Sequence, residues 1–245
     1  MKIFIIAVVV TAVFFYVYGE IKSIKNKKKS SANLPGHKQG IYEKYVKRWL
    51  DIFCALATML VFGFLYIIVA ILVKVKLGSP VLFKQERPGK DEIPFMLLKF
   101  RSMTSETDKN GELLPDKDRL TRFGKFLRAT SLDELPEVFN ILKGDMSVVG
   151  PRPLLVKYLE RYTPEQRRRH EVRPGLTGYA MSTVRNSEGW NKKFELDLEY
   201  VDKISFLFDL KIIFWTIKIV LKREGINEPG EATNSEFMGI WSDKK

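Results

Sequence analysis

The apolar run from Trp49 to Val73 constrains this chain more than any other stretch, because it is long enough to span a bilayer. Its flanks decide how it would sit. Lys47 and Arg48 precede it and Lys74 and Lys76 follow it, and positive charge is retained on the cytoplasmic side of a membrane. Basic residues at both ends favour a segment that enters and leaves the same leaflet, with a break near its middle, over one that crosses. Gly63 weakens the helix locally and is the expected break. An ordinary spanning helix that violates the charge rule is the competing reading.

A second apolar segment, Ile3 to Tyr18, follows Lys2 and precedes Lys22, Lys25, Lys27, Lys28 and Lys29. Residues 1–20 therefore read as an N-terminal transmembrane anchor, N-out and C-in, with a signal peptide as the alternative that the retained lysines oppose. Residues 21–41 read as a basic linker, flexible from Ser30 to Gly40.

The formal net charge is +12, from 41 Lys and Arg against 29 Asp and Glu. That excess predicts an anionic partner: nucleic acid, an anionic membrane surface or a phosphorylated substrate. The apolar runs favour the membrane and leave nucleic acid without an explanation for them. Cys54 is the only cysteine, so no intrachain disulfide forms and a reducing compartment fits. His37 and His170 lie far apart without a Cys/His cluster for zinc. His170, in the run Arg167 to His170, reads as part of a solvated basic face.

Val81 to Arg87 and Phe95 to Met103 read as strands around a turn containing Pro88-Gly89, with Lys99 and Arg101 projecting from the second. A helical pattern covers Asp116 to Leu127. It leads into Arg128-Ala-Thr-Ser-Leu-Asp-Glu-Leu-Pro136, where Asp133 and Glu134 are adjacent carboxylates. Leu135, Val138, Phe139 and Leu142 then mark one helix face, and Gly144 stands where a C′ glycine would stop it. Ser131 reads as the N-cap, which puts both carboxylates in a first turn where anions are favoured. The plain reading of Ser131-x-x-Glu134 is a capping box worth about 1 kcal/mol.

In Ser147 to Pro153, two prolines and a glycine stiffen the backbone around Arg152, a setting that suits a bidentate anion clamp. Arg173 and Arg185 add guanidinium groups in loop-like sequence. Ile204 to Leu221 is strongly apolar with Lys211 and Lys218 to one side, suiting either an interfacial helix or a buried helix with a basic edge.

From about Tyr42 to Gly239 the sequence resembles the monotopic polyprenyl-phosphate phosphoglycosyl transferases, the bacterial sugar transferase family, in its small, PglC-like type. The blocks that carry the resemblance are Lys99-Phe-Arg-Ser-Met103, Arg128-x-x-Ser-Leu-Asp-Glu-Leu-Pro136, Gly144-Asp-Met-Ser-Val-Val-Gly-Pro-Arg-Pro153 and Arg173-Pro-Gly-Leu-Thr-Gly178. The resemblance implies an α/β fold, mostly helical with a small β-hairpin. It places a re-entrant membrane helix over residues 42–78 and a catalytic domain with interfacial amphipathic helices over 79–240, on the cytoplasmic face of the bacterial inner membrane.

It further implies that Asp133 attacks the β-phosphate of a UDP-sugar, N-acetylated by preference, and that Glu134 holds Mg²⁺. Lys99, Arg128, Arg152 and Arg185 would contact phosphate, and undecaprenyl phosphate would accept the phosphosugar, starting a membrane glycoconjugate. Partners are then the two substrates and membrane lipid, with a homodimer allowed for. Two departures stand out: Gly63-Phe64 replaces the Ser-Pro usual at the break in small members, and Tyr179 and Met181 replace a common Trp and Gln beside the sugar. The residues also support part of this directly, since adjacent carboxylates repel unless a cation or proton relieves them. The competing class is a non-catalytic membrane-surface scaffold that binds anionic lipid or an acidic partner.

Overall fold

The computed structural model describes residues 37–184, 189–222 and 236–239. The anchor expected over 1–20 lies outside the described residues, as do most of the linker and Arg185.

A π-helical turn, Tyr42–Val46, runs into α1, Lys47–Leu77, the long apolar helix anticipated from the sequence. No residue inside it leaves helical geometry, so the interruption expected at Gly63 does not occur. A lone helical glycine costs only about 1 kcal/mol relative to alanine, too little to break a helix that is held at both ends. Ile52 and Ala55 pack against Phe95, Leu97, Val138, Ile141 and Met146, while Val69, Val73 and Leu77 pack against Phe100 and Leu127. Between these anchorages one face of the helix is bare, with Leu60, Val61, Phe64 and Ile67 exposed. Among the described residues this is the one helix long and apolar enough to cross a membrane.

The basic pair at its start serves the fold. Arg48 donates to the carbonyls of Ile141 (2.6 Å) and Leu142 (3.0 Å), a cation placed at the negative end of a helix. Lys47 is bound to Asp209 at 2.5 Å.

β1, Leu82–Pro88, and β2, Pro94–Phe100, form the expected antiparallel hairpin, with Leu82 opposite Phe100. The helix expected from Asp116 to Leu127 is two pieces, α2 (Asp116–Arg119) and α3 (Arg122–Ala129). Leu120 turns to extended geometry and Thr121 caps the second piece, its hydroxyl accepting from Gly124 N at 3.0 Å. α4, Glu137–Lys143, ends at Gly144 in the left-handed conformation (φ 84°), as the sequence predicts. β3, Ser147–Val149, pairs in parallel with β4, Gly175–Thr177. Between them lie α5, Pro164–Arg167, and a 3₁₀ turn, Arg168–His170; after them come α6, Tyr179–Thr183, α7, Trp190–Asp202, and α8, Phe206–Lys222.

α8 presents both faces that its sequence allowed. Ile212 is fully buried and the Thr216 hydroxyl meets that of Thr177 at 2.6 Å, whereas Leu207, Leu210, Phe214, Ile217 and Leu221 form an exposed apolar stripe.

Arg169 and His170 are not a solvated face but are 3% and 4% exposed. Arg169 is paired with Asp197 at 2.6 Å, a buried partner without which its charge would stand uncompensated. Burial and the neighbouring Arg169 guanidinium hold the His170 imidazole well below its usual pKa of 6.5. The unfolded chain therefore binds a proton there that the folded one does not, so the His170 contribution to stability is lost as pH falls below about 6.5, by up to about 1.4 kcal/mol per unit. Denaturant titrations across that range should show the native protein losing stability relative to His170→Asn at about this slope, on top of the opposite contributions of Asp133 and Glu137, whose carboxyls are raised on folding.

Candidate active site

The acidic pair does not open a helix. Leu132–Glu134 is a separate 3₁₀ turn, and Ser131 before it is left-handed (φ 53°) and makes no side-chain cap. A non-glycine residue there costs about 1–3 kcal/mol, a strain that persists only where surrounding packing enforces it. The enforcing contacts are visible: Leu132 and Leu135 pack on the Val69, Val73 and Phe100 cluster, so α1 and β2 grip the turn from both sides of the pair. Tyr66 of α1 reaches the same place, its ring 4.9 Å from that of Phe100 and 5.6 Å from that of Phe139. The membrane-type helix is thus the floor of this site.

Asp133 is 7% exposed. Glu134 faces two cations, with one carboxylate oxygen 2.6 Å from Lys99 Nζ and 3.0 Å from Arg152 Nη2. Lys99 projects from β2, and its ammonium also lies 3.1 Å from Glu137. Arg128, on α3, donates from Nε to Ser102 Oγ at 3.0 Å, and its charge acts on Asp133. Lys99, Arg128, Asp133, Glu134 and Arg152 are therefore brought together as the sequence anticipates. Arg173 is drawn elsewhere, donating to the Gly144 carbonyl at 3.0 Å.

Electrostatics separates the carboxylates. Burial and the Glu134 charge push Asp133 up to about 6, against the pull of Lys99, Arg128 and Arg152. Burial would raise Glu134 too, but Lys99 and Arg152 outweigh it and bring that group down to about 2. Glu137, buried on the first turn of α4, is raised to about 7 by burial and by Glu134. Glu134 is therefore the fixed anion of the group, and Asp133 a desolvated carboxylate beside it.

Sequence reasoning missed three supports. Glu137 reads as an ordinary first-turn acid. Asn140, fully buried, ties α4 to β2 by accepting from Leu98 N (3.1 Å) and donating to Met96 O (2.8 Å). Arg169 donates to the Arg152 carbonyl at 2.8 Å while bound to Asp197, which fixes the stiff loop from behind. Only the Pro-Arg-Pro rigidity signalled such a backing. Met181 lies against the clamp, its Sδ accepting from Arg152 Nη1 at 3.3 Å, and Tyr179 packs on Phe208 with centroids 5.0 Å apart.

Among the described residues no group of three or more His, Cys, Asp or Glu side chains converges as a metal cage. One or two carboxylates are nonetheless what Mg²⁺ takes from a protein when substrate phosphates supply the other oxygens. Glu134 beside Asp133 meets that requirement.

The bacterial sugar transferase family matches residues 42–223. The chain is 50% identical over 194 residues to the uncharacterized sugar transferase EpsL of Bacillus subtilis (strain 168), covering 79% of this chain and 96% of the relative. It is 38% identical to a UDP-N-acetylgalactosamine-undecaprenyl-phosphate N-acetylgalactosaminephosphotransferase of Aeromonas hydrophila, over 72% of this chain and 44% of the relative. With a UDP-glucose:undecaprenyl-phosphate glucose-1-phosphate transferase of Escherichia coli (strain K12) it shares 40% identity over 71% of this chain and 40% of the relative. The chain thus spans less than half the length of these last two.

Proposed function

Because the chain belongs to the bacterial sugar transferase family, we propose that it moves a sugar-1-phosphate from a UDP-sugar to undecaprenyl phosphate, releases UMP, and so begins a membrane glycoconjugate. The observation that carries this reading is the buried Asp133 carboxylate beside Glu134, in a turn ringed by Lys99, Arg128 and Arg152. A carboxylate attacks a phosphorus only where the substrate's negative charge is neutralised, and three cations at one turn serve that need.

In the first half-reaction an Asp133 oxygen bonds to the β-phosphorus as the bond to the UMP oxygen breaks, leaving the phosphosugar on Asp133. In the second, a phosphate oxygen of undecaprenyl phosphate bonds to that phosphorus and Asp133 is freed. Glu134, with the donor's phosphates, would hold Mg²⁺, which when bound supplies further neutralisation of the pyrophosphate. Lys99 and Arg152 orient the β-phosphate and Arg128 faces Asp133, while Arg185, outside the described residues, is proposed as a further phosphate contact.

The packing of α1 supports a seating on one side of the membrane. Both of its ends rest on one folded body, and one body lies on one side of a bilayer. We therefore read α1 as lying along the cytoplasmic leaflet without crossing it and without a break at Gly63, with the apolar stripe of α8 in the same interface. Residues 1–20 anchor the chain, 21–41 link it, and 79–240 form the catalytic domain.

The test is UMP release by the detergent-solubilised protein with Mg²⁺ and undecaprenyl phosphate, across UDP-N-acetyl sugars, UDP-glucose and UDP-galactose. Release with an N-acetylated donor above the plain hexoses is expected. Release with none, alongside vesicle binding, would favour the scaffold.

A further inference from the structure

Glu137 has no part in the reaction as written, yet it is 3% exposed and aimed at the site's lysine. A first-turn acid that only complements a helix dipole normally sits in solvent, where its charge costs nothing to keep. Here the carboxylate is taken out of water beside Glu134, and the Lys99 ammonium lies between the two, 2.6 Å from one and 3.1 Å from the other.

The arrangement has a consequence once the Glu134 carboxylate is turned toward a divalent cation. Lys99 and Arg152 both sit on Oε1 of Glu134, and a divalent cation on the same carboxylate repels them and weakens their hold on it, so a second acceptor is needed to keep Lys99 in place. We propose that Glu137 is a positioning residue that keeps the Lys99 ammonium beside the donor's phosphates when Glu134 takes up its cation. The inference rests on the reading of Glu134 as the cation's ligand.

Sign distinguishes this role from a bystander charge. UDP is an anion, so removing a nearby carboxylate that merely repels it should tighten binding. Removing a carboxylate that holds Lys99 in place should weaken it.

The measurement is the affinity of the detergent-solubilised full chain for UDP in excess Mg²⁺, by calorimetry, for Glu137→Gln, Lys99→Met and the double variant. Glutamine keeps the shape and an acceptor oxygen, and thermal unfolding verifies that each variant is folded. Glu137→Gln is expected to weaken UDP binding about tenfold alone and less than about twofold in the Lys99→Met background, since residues acting through one contact are strongly coupled. Tighter or unchanged binding in Glu137→Gln overturns the proposal, as does a loss that persists without Lys99. In the native chain EDTA, and separately Glu134→Gln, should also weaken UDP; if neither does, the reading of Glu134 fails, and that result is distinct from a failed cycle.

Discussion

Asp133→Asn should reduce UMP release by about 10³-fold or more while leaving the protein as stable as before, or slightly more so. The change keeps the side chain's shape and removes its nucleophilic charge. Asp133 is already held above the usual carboxylate range, first by burial and then by Glu134, so a neutral amide relieves two unfavourable terms. Its flanking residues Leu132 and Leu135 keep the turn in place by apolar contact, which the substitution does not touch.

Glu134→Gln should behave differently. That carboxylate is the common partner of Lys99 and Arg152, and its loss leaves two mutually repelling cations with only the weaker pull of Glu137 and Asp133. Activity and thermal midpoint should fall together. With donor alone, the native protein should release up to one UMP per chain and retain the labelled phosphosugar, whereas Asp133→Asn should do neither. Native-like UMP release in Asp133→Asn would remove the covalent step from the reaction, whatever the fold.

Features set by neighbours along the chain were legible in the sequence, and features set by distant partners were not. The hairpin of β1 and β2, the apolar face at Val138 and Leu142 and the left-handed Gly144 follow from period and turn chemistry within a few residues. The same local logic assigned Ser131 to a helix cap, and it failed because α1 and β2 hold Leu132 and Leu135 in a turn of their own. Arg48 looked like a membrane flank, but its acceptors stand 93 and 94 residues away. Arg169 and His170 looked solvated for the same reason: Asp197 and the Arg152 carbonyl that receive Arg169 are invisible to a charge count.

At the end of the chain Phe237 is fully buried among Tyr158, Tyr162 and Phe194, in a tail with no periodicity to announce it. For the site, the reactive residues were readable as motifs. Their supports, Glu137, Asn140 and Arg169, are ordinary residue types whose importance comes only from position.

Gly175→Ala should cost about 3 kcal/mol or more and take most of the activity with it, although the residue touches no proposed substrate group. A Cβ at this position would stand 2.1 Å from Gly150 N and 2.3 Å from Thr177 O, both backbone atoms. A flexible side chain could move aside, but these cannot without parting β3 from β4. The strands are short and joined at that point, where Gly150 N donates to Thr177 O at 2.9 Å and Gly175 N to Pro151 O at 3.0 Å. Gly150 and Pro151 lead directly into Arg152, so the backbone that must retreat is the one that aims the clamp at Glu134. For a chain of this size the loss corresponds to a fall in Tm of about 10 °C. Gly63→Ala is the matched control: its Cβ meets nothing within 4 Å and its backbone is helical, so the same change should raise stability by up to about 1 kcal/mol. An unchanged midpoint and full UMP release in Gly175→Ala would mean that the two strands can separate without moving Arg152, and that the rigidity ascribed to this loop has another source.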